Sequence, residues 1–387
     1  MTEMVYGSMP ARVTEPILPR WWRTIDKWSL SAVFLLFAIG ILLGLAASVP
    51  LAGRNGLEPF YYVQRQLFFG CMSMVAMLAI SMISPTNVRR LGILGFLGAF
   101  IALVALIPLG TDHGKGAVRW LDLGFITVQP SEFVKPTFII LSAWLIAASQ
   151  DLNGPPGKLM SFILAVIIVG FLAMQPDFGQ SALILFGWGV VYFIGGATIF
   201  LIVLVIATAG VGSLFAYNMS EHFARRIDGF LIPDLDPRTQ LGYATNAIQE
   251  GGFVGVGVGE GQVKWSLPDA HTDFIIAVAA EEYGLILVVI IIALYCLIVV
   301  RSLFRLFKER VPFVRLAGAG LACIFGVQAM VNLGVAVRLL PAKGMTLPFI
   351  SYGGSSVLAA GITMGMLLAL TRSRPQGDIG EIFRWGR

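Results

Sequence analysis

Apolar and polar positions fall in long blocks along this chain, not at the short alternation of a half-buried strand or a soluble helix. Apolar runs of membrane-crossing length recur from residue 28 to residue 371, and polar or basic stretches separate them. A crossing helix needs about 20 apolar residues at about 1.5 Å of rise each. On that measure the pattern predicts ten spans, at roughly 28–50, 67–84, 91–110, 132–149, 159–174, 180–195, 198–217, 274–300, 314–337 and 355–371. The sixth and seventh come from one uncharged run, Phe178 to Ser220. As a single helix it would reach about 65 Å, twice the ~30 Å hydrocarbon core. Gly195-Gly196 offers a turn, so the run divides in two.

Composition agrees with that pattern. The chain of 387 residues is 57% hydrophobic and 13% charged, with a mean hydropathy of +0.82. Soluble domains carry about 25% charged residues. No small-residue cleavage site follows the first apolar run, which therefore reads as a span and not as a removed signal peptide. Cys71, Cys296 and Cys323 all lie inside apolar runs, which argues against a disulfide framework.

The net charge of +5 follows the membrane and not a nucleic acid. With the N-terminus inside, Lys and Arg number 16 inside and 11 outside, and Asp and Glu number 7 inside and 15 outside. The densest basic cluster, Arg301, Arg305, Lys308, Arg310 and Arg315, also falls inside. Both termini are therefore expected in the cytoplasm. The expected fold class is an all-α integral membrane protein of ten helices. Residues 1–27 and 372–387 read as cytoplasmic tails around one membrane domain, 28–371. A large extracytoplasmic loop, 218–272, joins the seventh and eighth helices. The other motif-like loops, 51–66, 111–131 and 338–354, face outward with it.

One stretch organises the chemistry, Lys264 to Gly284, where an ionisable loop meets a long apolar run. Asp273, Glu281 and Glu282 lie at this membrane boundary, where carboxylates are costly and each needs a reason. Asp273 is either the N-cap of the eighth span or a general base whose pKa rises at a partly desolvated edge. On a regular helix the three carboxylates point apart, so Glu281 and Glu282 are expected to meet partners on neighbouring spans. Pro130-Ser131-Glu132 reads as a helix start with Ser131 as N-cap. Glu132 and Lys135 then share one face at i and i+3. They form either a structural ion pair or a cation held for an anionic headgroup, with Lys115 and Arg119 above.

Asp177, in Gln175-Pro-Asp-Phe-Gly-Gln180, reads as a turn or cap residue. The glycine run Gly251 to Gly261 lacks the strand and helix of a dinucleotide fingerprint. It reads as backbone that packs closely or moves. His113, His222 and His271 show no metal-ligand spacing, and no nucleophilic serine motif occurs. The last outer loop, Arg338 to Ser356, has the prolines and glycines of a re-entrant or tightly folded segment.

Three segments together resemble the SEDS family of bacterial cell-wall polymerases: Lys115 through Lys135, Pro268-Asp-Ala-His-Thr-Asp-Phe274, and Leu340 through Ser356. Gln175-Pro-Asp-Phe-Gly179 is a fourth match, and the likeness runs over roughly 25–372. Ala270 and Lys343-Gly-Met-Thr resemble the division branch more than the elongation branch. Asp269 departs from it, since the family more often has glutamate there.

The resemblance implies a ten-span, inverting glycosyltransferase that polymerises lipid II outside the cytoplasmic membrane, at the division septum. The donor would be a glycan on undecaprenyl pyrophosphate. Asp273 would be the general base, and Lys115, Arg119, Glu132, Lys135, Asp177, His271, Lys343 and Ser351 would bind substrate. The resemblance leaves room for a divalent cation, Mg or Mn, on the pyrophosphate, although the sequence has no dedicated site. It implies a class B penicillin-binding protein and other division proteins as partners. The rival readings are a lipid II flippase and a non-catalytic division scaffold.

Overall fold

The computed structural model describes residues 16–111, 118–122, 124, 126–151, 153–196, 239–267, 269–341 and 344–373, with isolated positions between 197 and 238. Its helices follow the apolar runs. They are α1 (Ile17–Thr24), α2 (Lys27–Arg54), α3 (Tyr61–Met82), α4 (Pro85–Leu109), α5 (Pro130–Ala148) and α6 (Gly157–Met174). Then come α7 (Phe178–Ile194), α8 (Gln240–Gly251), α9 (Val263–Ser266), α10 (Ile275–Phe307), α11 (Pro312–Ala336) and α12 (Gly354–Leu370). A small antiparallel pair, β1 (Leu121–Asp122) and β2 (Thr127–Val128), precedes α5. Among the described residues seven helices are long and apolar enough to cross a membrane, namely α2 to α6, α10 and α11. α7 and α12 are apolar and shorter, at 17 residues each. The predicted seventh span, 198–217, falls almost wholly outside the described residues, as do Lys115, His113 and Lys343.

Local signals set the helix ends. Ser84 Oγ accepts from Asn87 N ahead of α4, and proline stands at the first turn of α4, α5 and α11. The expected cap at Ser131 is corrected. α5 begins one residue earlier, at Pro130, with Gln129 as N-cap. Ser131 is thus inside the helix, and its buried Oγ has no hydrogen-bond partner among the described residues.

α5 and α11 form the inner pair, each with 72% of its apolar window buried, against 28% for α4, α6 and α10. The outer helices turn Leu94, Ile101, Val166 and Val289 outward, the face that lipid would cover. Small residues let the helices approach. A Cβ at Gly361 of α12 would stand 2.3 Å from Ser73 Oγ of α3.

Hydrogen bonds fix which ends lie together. Ser373 N donates to Thr24 O at 2.9 Å. Arg301 Nε donates to both oxygens of Asp26, Arg305 Nη1 to Thr371 O, and Arg372 Nη1 to Met82 O. The start of α2 and the ends of α3, α10 and α12 therefore share one end of the bundle. At the opposite end, Asn332 of α11 donates to Asp273 O ahead of α10. α7 starts at that opposite end and finishes near the first, where Lys158 Nζ donates to Gly196 O. Ile194 and Ile275 thus stand at opposite ends.

The eighth span departs from the expected unbroken helix. Gly284 interrupts α10 with φ 75° and ψ −177°, a conformation open to glycine alone. The glycine run supplies the hydrogen bonds that the helix loses there. Val256 N donates to Glu281 O and Gly257 N to Glu282 O, while Leu285 N donates to Gly252 O. A Cβ at Gly284 would lie 2.3 Å from Phe253 O, so the two backbones meet with no room for a side chain. This loop supplies partners to both Glu281 and Glu282. Lys264 Nζ lies 2.6 Å from Glu282 Oε1, and Gln262 N donates to Glu281 Oε1 at 2.6 Å.

Gly284→Ala is expected to destabilise the protein by roughly 3 kcal/mol, from a glycine-only conformation plus a backbone clash. Gly259, also at positive φ but with open space around it, is the control; Gly259→Ala should cost about 1 kcal/mol. Thermal unfolding in detergent reads both. Equal small losses would mean that nothing crosses close at residue 284.

Candidate active site

Asp273 lies in the turn that leads into α10. The cap position belongs to Phe274, which makes no side-chain cap, so the capping role for Asp273 is not the one observed. Thr272 N and Phe274 N both donate to Asp269 O, and Asp269 Oδ2 accepts from Gln240 Nε2 of α8. The shorter aspartate at 269 therefore still reaches a partner.

The 344–352 loop closes on this turn from the other side. Ser351 Oγ donates to Thr272 O at 2.6 Å while accepting from Leu347 N at 2.9 Å. Tyr352 N donates to His271 O at 3.0 Å. Asn332 Nδ2 donates to Asp273 O at 3.0 Å and to Met345 O. The main chain on both sides of Asp273 is thus fixed by three side chains or loops. A Cβ on Gly344 would lie 3.5 Å from Asp273 Oδ2, so the loop that carries Lys343 runs beside the carboxylate. The loop is re-entrant, as expected. Pro348 O meets the Tyr295 hydroxyl and Ile350 O accepts from Gln66, both inside the bundle.

His271 packs its ring against Tyr62 at 5.5 Å and Tyr352 at 5.4 Å. Arg65 stands over Tyr61, whose hydroxyl accepts from its Nη1. Burial raises the Tyr352 hydroxyl above its ordinary pKa. This aromatic cluster, joined to the Asp273 turn through His271, has the make-up of a ligand site, mostly ring surface with a few fixed polar groups.

Glu132 and Lys135 form a second cluster. Lys135 Nζ lies 2.8 Å from Glu132 Oε2, and each residue is 4% exposed. Gln180 Nε2 donates to Glu132 Oε1, and Lys135 Nζ donates to Gln328 Oε1 at 2.9 Å. Gln328 Nε2 donates onward to Thr346 O. Gln328 and Asn332 stand one turn apart on α11, so they share a face. They join the ion pair to Asp273 through residues 345 and 346. Sequence reasoning missed both amides. The available signal was two polar residues at i and i+4 inside an apolar span, a position that polar groups occupy for cause.

Arg119 and Asp177 make a third cluster. Arg119 donates from Nη2 to Pro176 O and from Nε to Gln175 O, and its Nη1 lies 3.9 Å from Asp177 Oδ1. Its charge holds the turn between α6 and α7. Burial pushes the Asp177 carboxyl above the usual carboxylate range, and the Arg119 charge draws it part of the way back. Among the described residues no three His, Cys, Asp or Glu side chains converge on a metal position.

The sequence from residue 27 to residue 376 matches the FtsW, RodA and SpoVE family model, described as a cell cycle protein. The chain belongs to that family. Membership of the FtsW, RodA and SpoVE family extends to close relatives over nearly full length. The probable peptidoglycan glycosyltransferase FtsW of Caulobacter vibrioides is 44% identical over 97% of both chains. That of Trichlorobacter lovleyi is 34% identical over 89% of this chain and 93% of its own. A solved chain from a peptidoglycan synthase complex that coordinates polymerization and crosslinking superposes with a TM-score of 0.73 at 27% identity. It covers 91% of this chain and 99% of its own. The rod shape determining protein RodA of Thermus thermophilus shares the fold, with a TM-score of 0.66 at 23% identity over 92% and 99% of the two chains.

Proposed function

We propose that this protein is a peptidoglycan glycosyltransferase of the bacterial inner membrane, which polymerises lipid II into β-1,4 glycan strands with Asp273 as general base. The observation that carries the reading is the clamp on Asp273. A carboxylate with its main chain fixed from α11 and from the 344–352 loop lies in a turn joined through His271 to an aromatic cluster. Preorganisation of this kind is what a positioned base requires.

In the reaction, Asp273 takes the proton from the 4-hydroxyl of a lipid II N-acetylglucosamine. The oxygen forms its bond to the donor's anomeric carbon from the face opposite the pyrophosphate. The old carbon–oxygen bond breaks, and its electron pair leaves with undecaprenyl pyrophosphate. Attack from the opposite face turns the α linkage of the donor into a β linkage. The buried Lys135, with Lys343 and Lys115, would meet the negative charge of the leaving group.

Ile194 and Ile275 lie at opposite ends of the bundle, which supports the expected seventh span between them. One crossing over 198–217 gives ten spans with both ends cytoplasmic, and it leaves Asp273 on the outer face. A class B penicillin-binding protein at the division septum is the proposed partner.

The test is purified protein with a class B partner and fluorescent lipid II, run on a gel after the reaction. The expected product is a ladder of strands that lysozyme digests, which marks the β-1,4 linkage. The reading fails if no ladder forms with Mg or Mn present while the same protein moves lipid II across vesicle membranes.

A further inference from the structure

A groove of about 630 Å³ opens at the bundle end where α2 starts and α10 finishes, opposite the end that holds Asp273. Trp28 of α2 and Leu297, Val300 and Phe304 of α10 make its apolar wall, and Arg301, Arg305 and Lys308 stand at its mouth. The mouth carries more positive charge than its partners neutralise. Asp26 is the acid there, and it faces both Arg301 and Arg305. Arg301 donates from Nε to Asp26 and to no other side chain among the described residues, so both Nη groups are open donors. Lys308 has no partner among the described residues either. An apolar trough beneath the open Nη groups of Arg301 and the Lys308 ammonium matches the chemistry of an acyl chain joined to a phosphate.

We infer that this groove binds one anionic phospholipid of the bilayer, with an acyl chain along Leu297, Val300 and Phe304 and the phosphate on Arg301 and Lys308. The phosphate accepts from the planar Arg301 fork, and the Lys308 ammonium adds a point charge beside it. The uncharged wall alone would take any lipid, so the headgroup preference comes from the mouth. Bound there, the lipid braces α2 against α10 through Trp28 at the end where Asp26 already ties them. The inference is independent of the polymerase reading, since it needs only a membrane.

Cys296 lies exposed in the groove and serves as the probe. The full chain carrying Cys71→Ser and Cys323→Ser is placed in detergent with phosphatidylglycerol or phosphatidylcholine of the same acyl chains. Native mass spectrometry counts retained lipids, and intact mass follows maleimide labelling of Cys296. One phosphatidylglycerol should be retained roughly 10-fold over phosphatidylcholine and should slow labelling by a similar factor, as two basic groups near a phosphate provide. Lys308→Gln should reduce the preference about 5-fold, and Leu297→Trp should fill the trough and remove protection by either lipid. Equal retention of the two lipids would overturn the inference. So would protection of Cys296 by a partner's transmembrane segment but not by phosphatidylglycerol, an outcome that gives the groove to a protein.

Discussion

Asp273→Asn is expected to cut glycan synthesis at least about 100-fold, the usual contribution of a positioned general base. The asparagine keeps the volume and leaves the main-chain contacts of the turn in place, because Asn332, Ser351 and Tyr352 all donate to carbonyl oxygens there. The variant should therefore melt at the wild-type temperature and stay bound to its partner. Glycan ladders and thermal unfolding on the same preparation check both halves. Ladders of wild-type strength would remove Asp273 from the chemistry. A lowered melting temperature together with weak ladders would instead give it a structural role. The Asp273→Glu variant separates charge from placement, since one added methylene moves the carboxylate by about 1 Å, a shift that can cost 100-fold by itself.

Lys135→Met is expected to lower stability by about 3–5 kcal/mol, because it leaves the Glu132 carboxylate buried without its counter-charge. The double variant Glu132→Leu with Lys135→Met removes both charges and should return to within about 1 kcal/mol of the wild type. Thermal unfolding of the single and double variants measures this recovery. Polymerisation should not return with stability. The double variant has lost the cation and also the donor to Gln328, whose amide holds Thr346 O near the Asp273 turn. A stable and fully active double variant would mean that the pair serves folding alone. An unstable double variant would mean that its packing matters more than its charge.

Most of the fold was legible because a bilayer leaves the sequence few options. Apolar length marks α2 to α6, α10 and α11, with ends displaced by at most seven residues, and Gly195-Gly196 ends α7 where the long uncharged run was divided. The break at Gly284 was not legible. The run on both sides is apolar and helical in pattern, and the cause lies thirty residues upstream in a glycine stretch that signals nothing by itself. The pairing of Lys264 with Glu282 was hidden for the same reason, since long-range contact carries no local period. In the site, Asp273, Glu132 and Lys135 stood out as charges at membrane edges. Gln328 and Asn332 were passed over because neutral amides barely lower the hydropathy of a span. Arg119 was read as a free cation, yet the Gln175 and Pro176 carbonyls that take it up belong to a different loop.

The interruption at Gly284 also separates the Asp273 turn from the mechanics of the bilayer. Helices tilt to match local bilayer thickness, and thickness varies with lipid composition. A straight α10 would act as a lever. Asp273 lies about 16 Å along the axis beyond Gly284, so roughly 10° of tilt would swing it by about 3 Å. That is several times the placement error a catalytic group tolerates. With the helical path broken at 284, the segment from Leu285 onward can follow the bilayer while residues 273–283 stay with α11 and the re-entrant loop. The carboxylate keeps its place while the membrane around it changes thickness.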